Sequence, residues 1–525
     1  MQLKWALAAV AMTILPLHRH SSAGAQVLIG SPEDDRRRIA QILGTRSAAG
    51  EMIRSPSSTI EADSLSRLPV VGLVRPVIDG TYNAQLPFSI DDGALWAGRG
   101  ASTRLTVGID GRVGPVRYLA APELMHSANL AFSDLPSNIP GRSSFASPFY
   151  AGPRSIDLPE RFGREPFSTI TPGQSAVWVS ARGADIGAST ENQWWGPAIQ
   201  NALVMSNNAA GIPSVFVRTN RPWQTRIGSF EAKAVAGGLT ESRYFDTVST
   251  NDVRALSGVV ATYSPSVEPN VTVGVSRVVY ANAPRASNIA GNALGALTRW
   301  STTRVDSTAT GSDAFDDMMS FFGRWIFPAS GLEVYAEWAR MLPPVSLRDW
   351  LIAPQYTQGF TIGMQVARPI RAGAVLRFQA EFTDLEQTPP SRAGDTLTYY
   401  TSRAVAQGYT QRGQAIGAAI GPGGSSQLVA VDYMPARWDV GLFAERIRWN
   451  NDVYYLQPSG FSFFAQDVSV MGGLRGTFRW RRSEVHAEFS LSQRLNFLFQ
   501  ALRGGFGPER SNDAQDHSLR FWIVP

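Results

Sequence analysis

Glu191-Asn192-Gln193-Trp194-Trp195-Gly196-Pro197 sets an acid and two amides beside adjacent tryptophans. Such side chains suit a pyranose, because indole faces cover its apolar side while amides and carboxylates bond its hydroxyls. Asn201, Asn207 and Asn208 follow closely and extend the same chemistry. The same residue types also suit a structural plug, in which Trp194 and Trp195 pack while Glu191, Asn192, Gln193 and the three asparagines satisfy loop backbone. On the sequence alone both readings stay open.

Glu333 and Glu337 are the most suggestive carboxylate pair. Four apart on an extended strand, they would lie ~13 Å apart, beyond the ~6.5–9.5 Å of an inverting glycosidase and further still from a retaining one. Within one strand they are not a catalytic pair. The expected role is ion pairing with arginines such as Arg324, Arg340 or Arg377, with Glu381 a further charge of the same kind. The sequence contains no G-x-S-x-G, phosphate-loop, H-E-x-x-H or calcium-loop pattern. Gly98-Arg99-Gly100 lacks the third glycine and the context of a dinucleotide site.

There is no cysteine, hence no disulfide and no thiolate metal site, and only five histidines. His18 and His20 lie near the N-terminus, leaving His126, His486 and His517 far apart. No metal, cofactor or enzymatic activity is expected; a hydrolase would have to use His126 or His486, which fall in or beside strand-like runs. The net charge of +5 and pI near 9.5 come from arginine, since Lys4 and Lys233 are the only lysines. Arginine forks match carboxylates and phosphates, so either an acidic polymer or lipopolysaccharide is a neighbour, or the bias is compositional. Nothing resembles a nucleic-acid module.

The elements that must position these residues begin with an export signal over residues 1–25: Lys4, an apolar run from Trp5 to Leu17, and the small residues Ala23-Gly24-Ala25. Residues 26–95 read as a periplasmic element, with a short helix where Pro32 and Glu33-Asp34-Asp35 precede Arg36 to Arg38 and Ile39, Ile42 and Leu43 fall at helical spacing. Residues 96–525 change character to alternation with period two. In Ala374 to Asp384, Ala374, Leu376, Phe378, Ala380 and Phe382 oppose Val375, Arg377, Gln379, Glu381 and Thr383. Leu332 to Trp338 and Glu484 to Phe497 repeat the pattern.

Charged faces of this kind are out of place in a dry core. A water-filled lumen inside a lipid-facing wall accounts for them. A soluble sandwich also alternates, but several runs reach the ~9 residues that a tilted strand needs to cross a bilayer, and aromatics such as Trp300, Trp325, Trp350, Trp449, Phe461, Phe463 and Trp480 gather near run ends like an interfacial girdle. The reading is all-β: a large antiparallel transmembrane β-barrel of about 16–18 strands, at about 24 residues per strand and connection. The last strand, through Leu519, Phe521 and Ile523, stops at Pro525 instead of a terminal aromatic.

Four stretches resemble the Wzi family of outer-membrane capsule assembly proteins. They are Asp92 to Gly100; Glu191 to Pro197 with Asn201 to Ala209 and Gly211-Ile212-Pro213; Arg221-Pro222 with Gly228 to Glu231 and Glu241 to Asp246; and Gly323 to Pro328 with Gly331 to Trp338, Leu347 to Trp350 and Pro354. The resemblance implies an 18-stranded barrel with a helical periplasmic element, no catalytic reaction, and a role in holding exported capsular polysaccharide at the cell surface. It weakens over Thr388 to Gly424, a Gly- and Thr-rich stretch read as an extracellular loop. The leading expectation is a monomeric, non-enzymatic outer-membrane barrel that anchors surface polysaccharide among outer-membrane lipid and lipopolysaccharide. The alternative is a porin-like channel for small solutes or oligosaccharides.

Overall fold

The computed structural model describes residues 28–59, 71–152, 154–300, 314–344, 346–387, 397–458, 461–500 and 512–525. The expected export signal lies outside them. Eighteen antiparallel strands close into one barrel. In chain order β1 is Gly72–Asn83, β2 Gly100–Val113, β3 the interrupted pair Val116–Ala120 and Glu123–Ser127, β4 Phe167–Thr171 and Ala176–Ala181, β5 Ala184–Ser189, and β6 Ser214–Thr219. Then come β7 Gly228–Thr240, β8 Val253–Pro265, β9 Val271–Asn282, β10 Phe315–Phe327, β11 Leu332–Met341 and β12 Gln358–Pro369. The wall ends with β13 Val375–Asp384, β14 Ser425–Met434, β15 Trp438–Trp449, β16 Asp467–Trp480, β17 Ser483–Leu495 and β18 Ala514–Val524. β18 closes on β1, from Ile78 opposite Ile523 to Asn83 opposite Ser518.

The alternation read from the sequence sets the two faces of the wall. On β13, Leu376 and Phe378 are exposed outward while Arg377, Gln379, Glu381 and Thr383 are buried inside. A closed ladder pairs every backbone group that would otherwise meet hydrocarbon. Tight turns such as 114–115, 182–183 and 481–482 join strands at one rim, and long connections such as 84–99, 128–166 and 190–213 at the other. Short turns mark the periplasmic side of bacterial barrels.

Two expectations change. β1 lies inside the segment read as periplasmic, so the wall begins at Gly72 and not at residue 96. Pro76 and a register shift between Val74 and Val77 break its period, because proline cannot donate to the ladder and is tolerated at a bulge. Gly80 adds a second gap: a Cβ there would sit 2.4 Å from the Ser102 carbonyl oxygen.

The interior also differs from a water-filled lumen. A continuous hydrophobic cluster runs from wall residues Met318, Phe322, Met341 and Phe443 to Phe149, Tyr399, Tyr400 and Tyr409 of the long connections. Part of the supposed girdle belongs to it: Phe461 and Phe463 pack on Phe149 with ring centroids 5.5 and 5.8 Å away. Trp325 and Trp480 do face outward.

The connection after β9 folds outside the barrel. Its helices Ala286–Gly291 and Gly295–Thr298 lie against the outer face of β7 to β9, covering Ala255, Ser257, Val279 and Ala281. Beneath this flap is Arg277, on the same outward face as the exposed Val273 and Val275. Its guanidinium pairs with Asp317 at 2.5 Å, donates to the carbonyl of Ala296 at 2.6 Å, and lies 3.9 Å from the Trp300 ring. Leu294, Leu297 and Trp300 are exposed on the flap's outer side.

Candidate functional site: the filled lumen

The N-terminal helix α1, Pro32–Ile42, starts where Ser31 accepts from the Asp34 amide at 3.3 Å, with Pro32 in the first turn. Asp34, Arg38 and Gln41 fall at helical spacing and are all buried, so the helix turns a polar face to the barrel interior. Arg38 forms a forked contact with Glu333 of β11, at 2.5 Å for the shortest bond. Burial works against its charge, yet the Glu333 carboxylate more than offsets this and holds the guanidinium pKa above its ordinary value. Glu333 also takes Arg324 at 2.7 Å and Gln365 at 3.1 Å, while Arg324 reaches Gln41 of α1 at 2.6 Å.

The remaining charges sort differently from the expected pairing. Of the three arginines expected to pair with the glutamates, Arg324 alone meets a glutamate among the described residues. Arg377 bridges Asp35 of α1 at 2.6 Å and Asp432 of β14 at 2.9 Å. Arg340 lies 3.5 Å from Asp349, in the short helix Leu347–Ile352 outside the wall. Glu337 instead accepts the Leu203 amide at 3.1 Å, and Glu381 accepts three successive amides, Ile199, Gln200 and Asn201, at 2.6, 3.1 and 2.9 Å, besides the Tyr335 hydroxyl at 2.7 Å. Lumen carboxylates thus serve the peptide groups of one inserted connection, which would otherwise be buried unpaired.

That connection, 190–213, carries the tryptophan-rich motif. Glu191 accepts the amide and hydroxyl of Ser57 at 2.8 and 2.7 Å. Asn192 exchanges hydrogen bonds with Gln174 and donates to the Ala209 carbonyl at 2.7 Å. Gln193 is buried beside them. Trp194 is 2% exposed and stacks 5.2 Å from the Arg54 guanidinium; Trp195 is fully buried and pairs with Ile53. Asn201 donates to Ser426 at 3.1 Å, Asn207 to the Asp91 carbonyl at 3.1 Å, and Asn208 to that of Ala415 at 2.9 Å. All eight motif residues therefore lie inside the barrel, with the indole faces covered by protein.

The long connection 397–424 rises from the same rim and folds inward over this insert. Tyr400 donates to the Leu203 carbonyl at 2.7 Å and accepts the Ala418 amide at 2.8 Å, while Tyr409 donates to the Val204 carbonyl at 2.8 Å. Burial raises both phenol pKa values, which keeps them donors. This stretch, expected as an extracellular loop, does join strands at the long-connection rim but folds inward, and Tyr400, Tyr409, Arg38, Asp35 and Ser57 were not among the expected site residues. Only the alternating acids and arginines of α1 offered a signal.

A family model described as capsule assembly protein Wzi matches residues 97–452. The chain belongs to this family. Among solved structures, the fold is similar to Wzi of Escherichia coli, described as an outer-membrane protein involved in group 1 capsule assembly and a carbohydrate-binding β-barrel. The TM-score is 0.55 at 12% identity, covering 86% of this chain and 84% of that one. OccAB2 of Acinetobacter baumannii (TM-score 0.41, 8% identity, 86% and 97% coverage) and OprD of Pseudomonas aeruginosa (0.40, 7%, 87% and 93%) are more distant. No curated protein matches by sequence. This Wzi-family chain is an outer-membrane β-barrel, and the charged strand faces that its sequence displays are the faces turned to the insert.

Proposed function

We propose that this Wzi-family barrel holds exported capsular or other surface polysaccharide at the cell surface and carries out no covalent chemistry. The observation that carries the reading is the use made of the polar lumen. Glu333, Glu337 and Glu381 are consumed by α1 and by the 190–213 insert, and the tryptophans at mid-barrel are covered. A barrel filled in this way offers its long-connection rim to polymer and not a passage to solute. Glu191, Asn192, Gln193, Trp194, Trp195, Asn201, Asn207 and Asn208 act as the plug, shaping that rim from below. Membrane lipid and lipopolysaccharide surround a single barrel.

Deletion of the gene in a capsule-forming strain tests the reading. Capsule shed into the medium is expected, with normal surface retention restored by the intact gene; unchanged retention would end the proposal. Planar-bilayer recordings separate it from the porin-like alternative, which requires steady open-channel current from the purified protein.

A further inference from the structure

The periplasmic side of the filled lumen holds a recess of about 440 Å³ between the segment after α1 and the turn joining β6 to β7. That size falls within the ~300–1,000 Å³ of small-molecule sites and exceeds what a lone inorganic anion fills. Its walls are rich in cations. Arg37, Arg46, Arg54, Arg218, Arg221 and Lys233 line it, against three carboxylates, Glu51, Asp185 and Glu231.

Pairing uses up part of this charge. Arg46 meets Glu51 at 3.2 Å, Arg54 meets Asp34 at 2.7 Å and Arg218 meets Asp185 at 3.0 Å. Lys233 is different: only 2% exposed, its ammonium donates to the Ser55 hydroxyl at 3.2 Å and sits 5.2 Å from the Phe216 ring, with no carboxylate in salt-bridge contact among the described residues. Arg37 donates to the Thr59 carbonyl at 3.1 Å and, among the described residues, is paired with the half-exposed Glu33 at 3.9 Å. A buried ammonium that Glu191 and Asp185 reach only from a distance is costly, and an incoming anion in direct contact lowers that cost.

The rest of the lining narrows the class of anion. Ser58, Thr59, Thr219 and Asn220 offer hydroxyl and amide groups, Glu51 and Glu231 accept hydroxyl donors, and Ile53 and Pro222 supply small apolar surfaces. Cations beside hydroxyl-bonding groups and modest apolar patches match a sugar ring that bears a carboxylate.

We infer that this recess binds an acidic sugar unit presented from the periplasm, its carboxylate toward Lys233 and Arg37 and its ring hydroxyls toward Thr59, Thr219 and Asn220. The inference rests on the polysaccharide reading for the source of the ligand. It adds a periplasm-facing contact to the surface rim, so that a polymer is met on both sides of the barrel.

Titration calorimetry on the full chain in detergent, with an oligoglucuronate, a neutral glucose oligomer and inorganic phosphate as probes, tests this. The oligoglucuronate is expected to bind, the neutral oligomer at least tenfold more weakly, and affinity to fall as salt is raised. Lys233→Gln and, separately, the turn variant Arg221→Gln should each weaken uronate binding, by about tenfold and about threefold, with heat-modifiable migration confirming the folded barrel. Equal binding of neutral and acidic oligomers, uronate binding indifferent to both variants, or phosphate binding as tightly as the uronate would each overturn the recess. In a capsule-forming strain, retention that is lost on gene deletion but intact in both variants would overturn the recess alone and leave the polysaccharide function standing.

Discussion

Arg38 of α1 and Glu333 of β11 are 295 residues apart in sequence and form a forked ion pair in which the carboxylate is wholly buried. The contact ties the N-terminal element to the barrel wall, and Arg324 and Gln365 complete the acceptor's shell. Removing Arg38 takes three charge-assisted hydrogen bonds from a buried carboxylate and leaves it the Arg324 and Gln365 contacts. Arg38→Ala is expected to cost about 3–5 kcal/mol in urea unfolding of the detergent-solubilised barrel. Glu333→Gln should cost at least as much, because it also takes the carboxylate from the buried Arg324, and parent-like stability in either variant would contradict the assignment.

Glu381 organises the insert by gathering the amides of Ile199, Gln200 and Asn201 and the Tyr335 hydroxyl. Glu381→Ala orphans four donors at once, at about 1–3 kcal/mol for each that water cannot reach. The 190–213 connection should then become sensitive to protease added to the detergent-solubilised protein, and bilayer recordings should show current bursts absent from the parent. Resistance equal to the parent would mean that the apolar contacts of Leu203 and Val204 suffice.

Tyr400 holds the overlying connection to the insert through one hydroxyl that both donates to Leu203 and accepts from Ala418. Tyr400→Phe keeps the ring and removes both bonds. A loss of about 1–3 kcal/mol is expected, read as a lower temperature of heat-modifiable migration.

Acidity should tune the same cover. Glu241, just beyond β7, meets Gln407 of the overlying connection. Burial pushes its carboxyl up to about 7, helped by the nearby Asp246, Asp157 and Asp252, although the Gln407 bond opposes the shift. A folded-state pKa above the unfolded value of about 4.3 means that the folded form holds more protons between the two. Stability from this group is greatest below about pH 4 and declines as pH rises to about 7. Glu241→Gln should flatten that part of the pH profile of thermal unfolding, and an unchanged profile would refute the assignment.

The wall was legible because a strand with one face to lipid and one to a polar interior writes its geometry into every second residue, as β13 and β11 do. β1 was hidden because Pro76 and Gly80 interrupt that period. The motif from Glu191 to Asn208 was visible as a polar and aromatic concentration, but not what it faces: Glu191 meets Ser57, and Asn201 meets Glu381 and Ser426, across separations that no local pattern encodes. For the same reason the partners of Arg340 and Arg377 were misjudged. Charge complementarity says that an arginine finds an acid, and only the three-dimensional path of the chain says which.

The flap over β7 to β9 determines what this side of the wall presents to lipid. Bare of residues 283–300, the outer surface would show hydrocarbon a guanidinium and a carboxylate, Arg277 and Asp317, and an arginine on a lipid-facing strand costs ~2–4 kcal/mol at mid-depth. That surface becomes fit for lipid only once the connection has folded back and capped the pair with Trp300. With that covering in place, this sector of the wall carries a charged pair on its outer side without showing it to hydrocarbon.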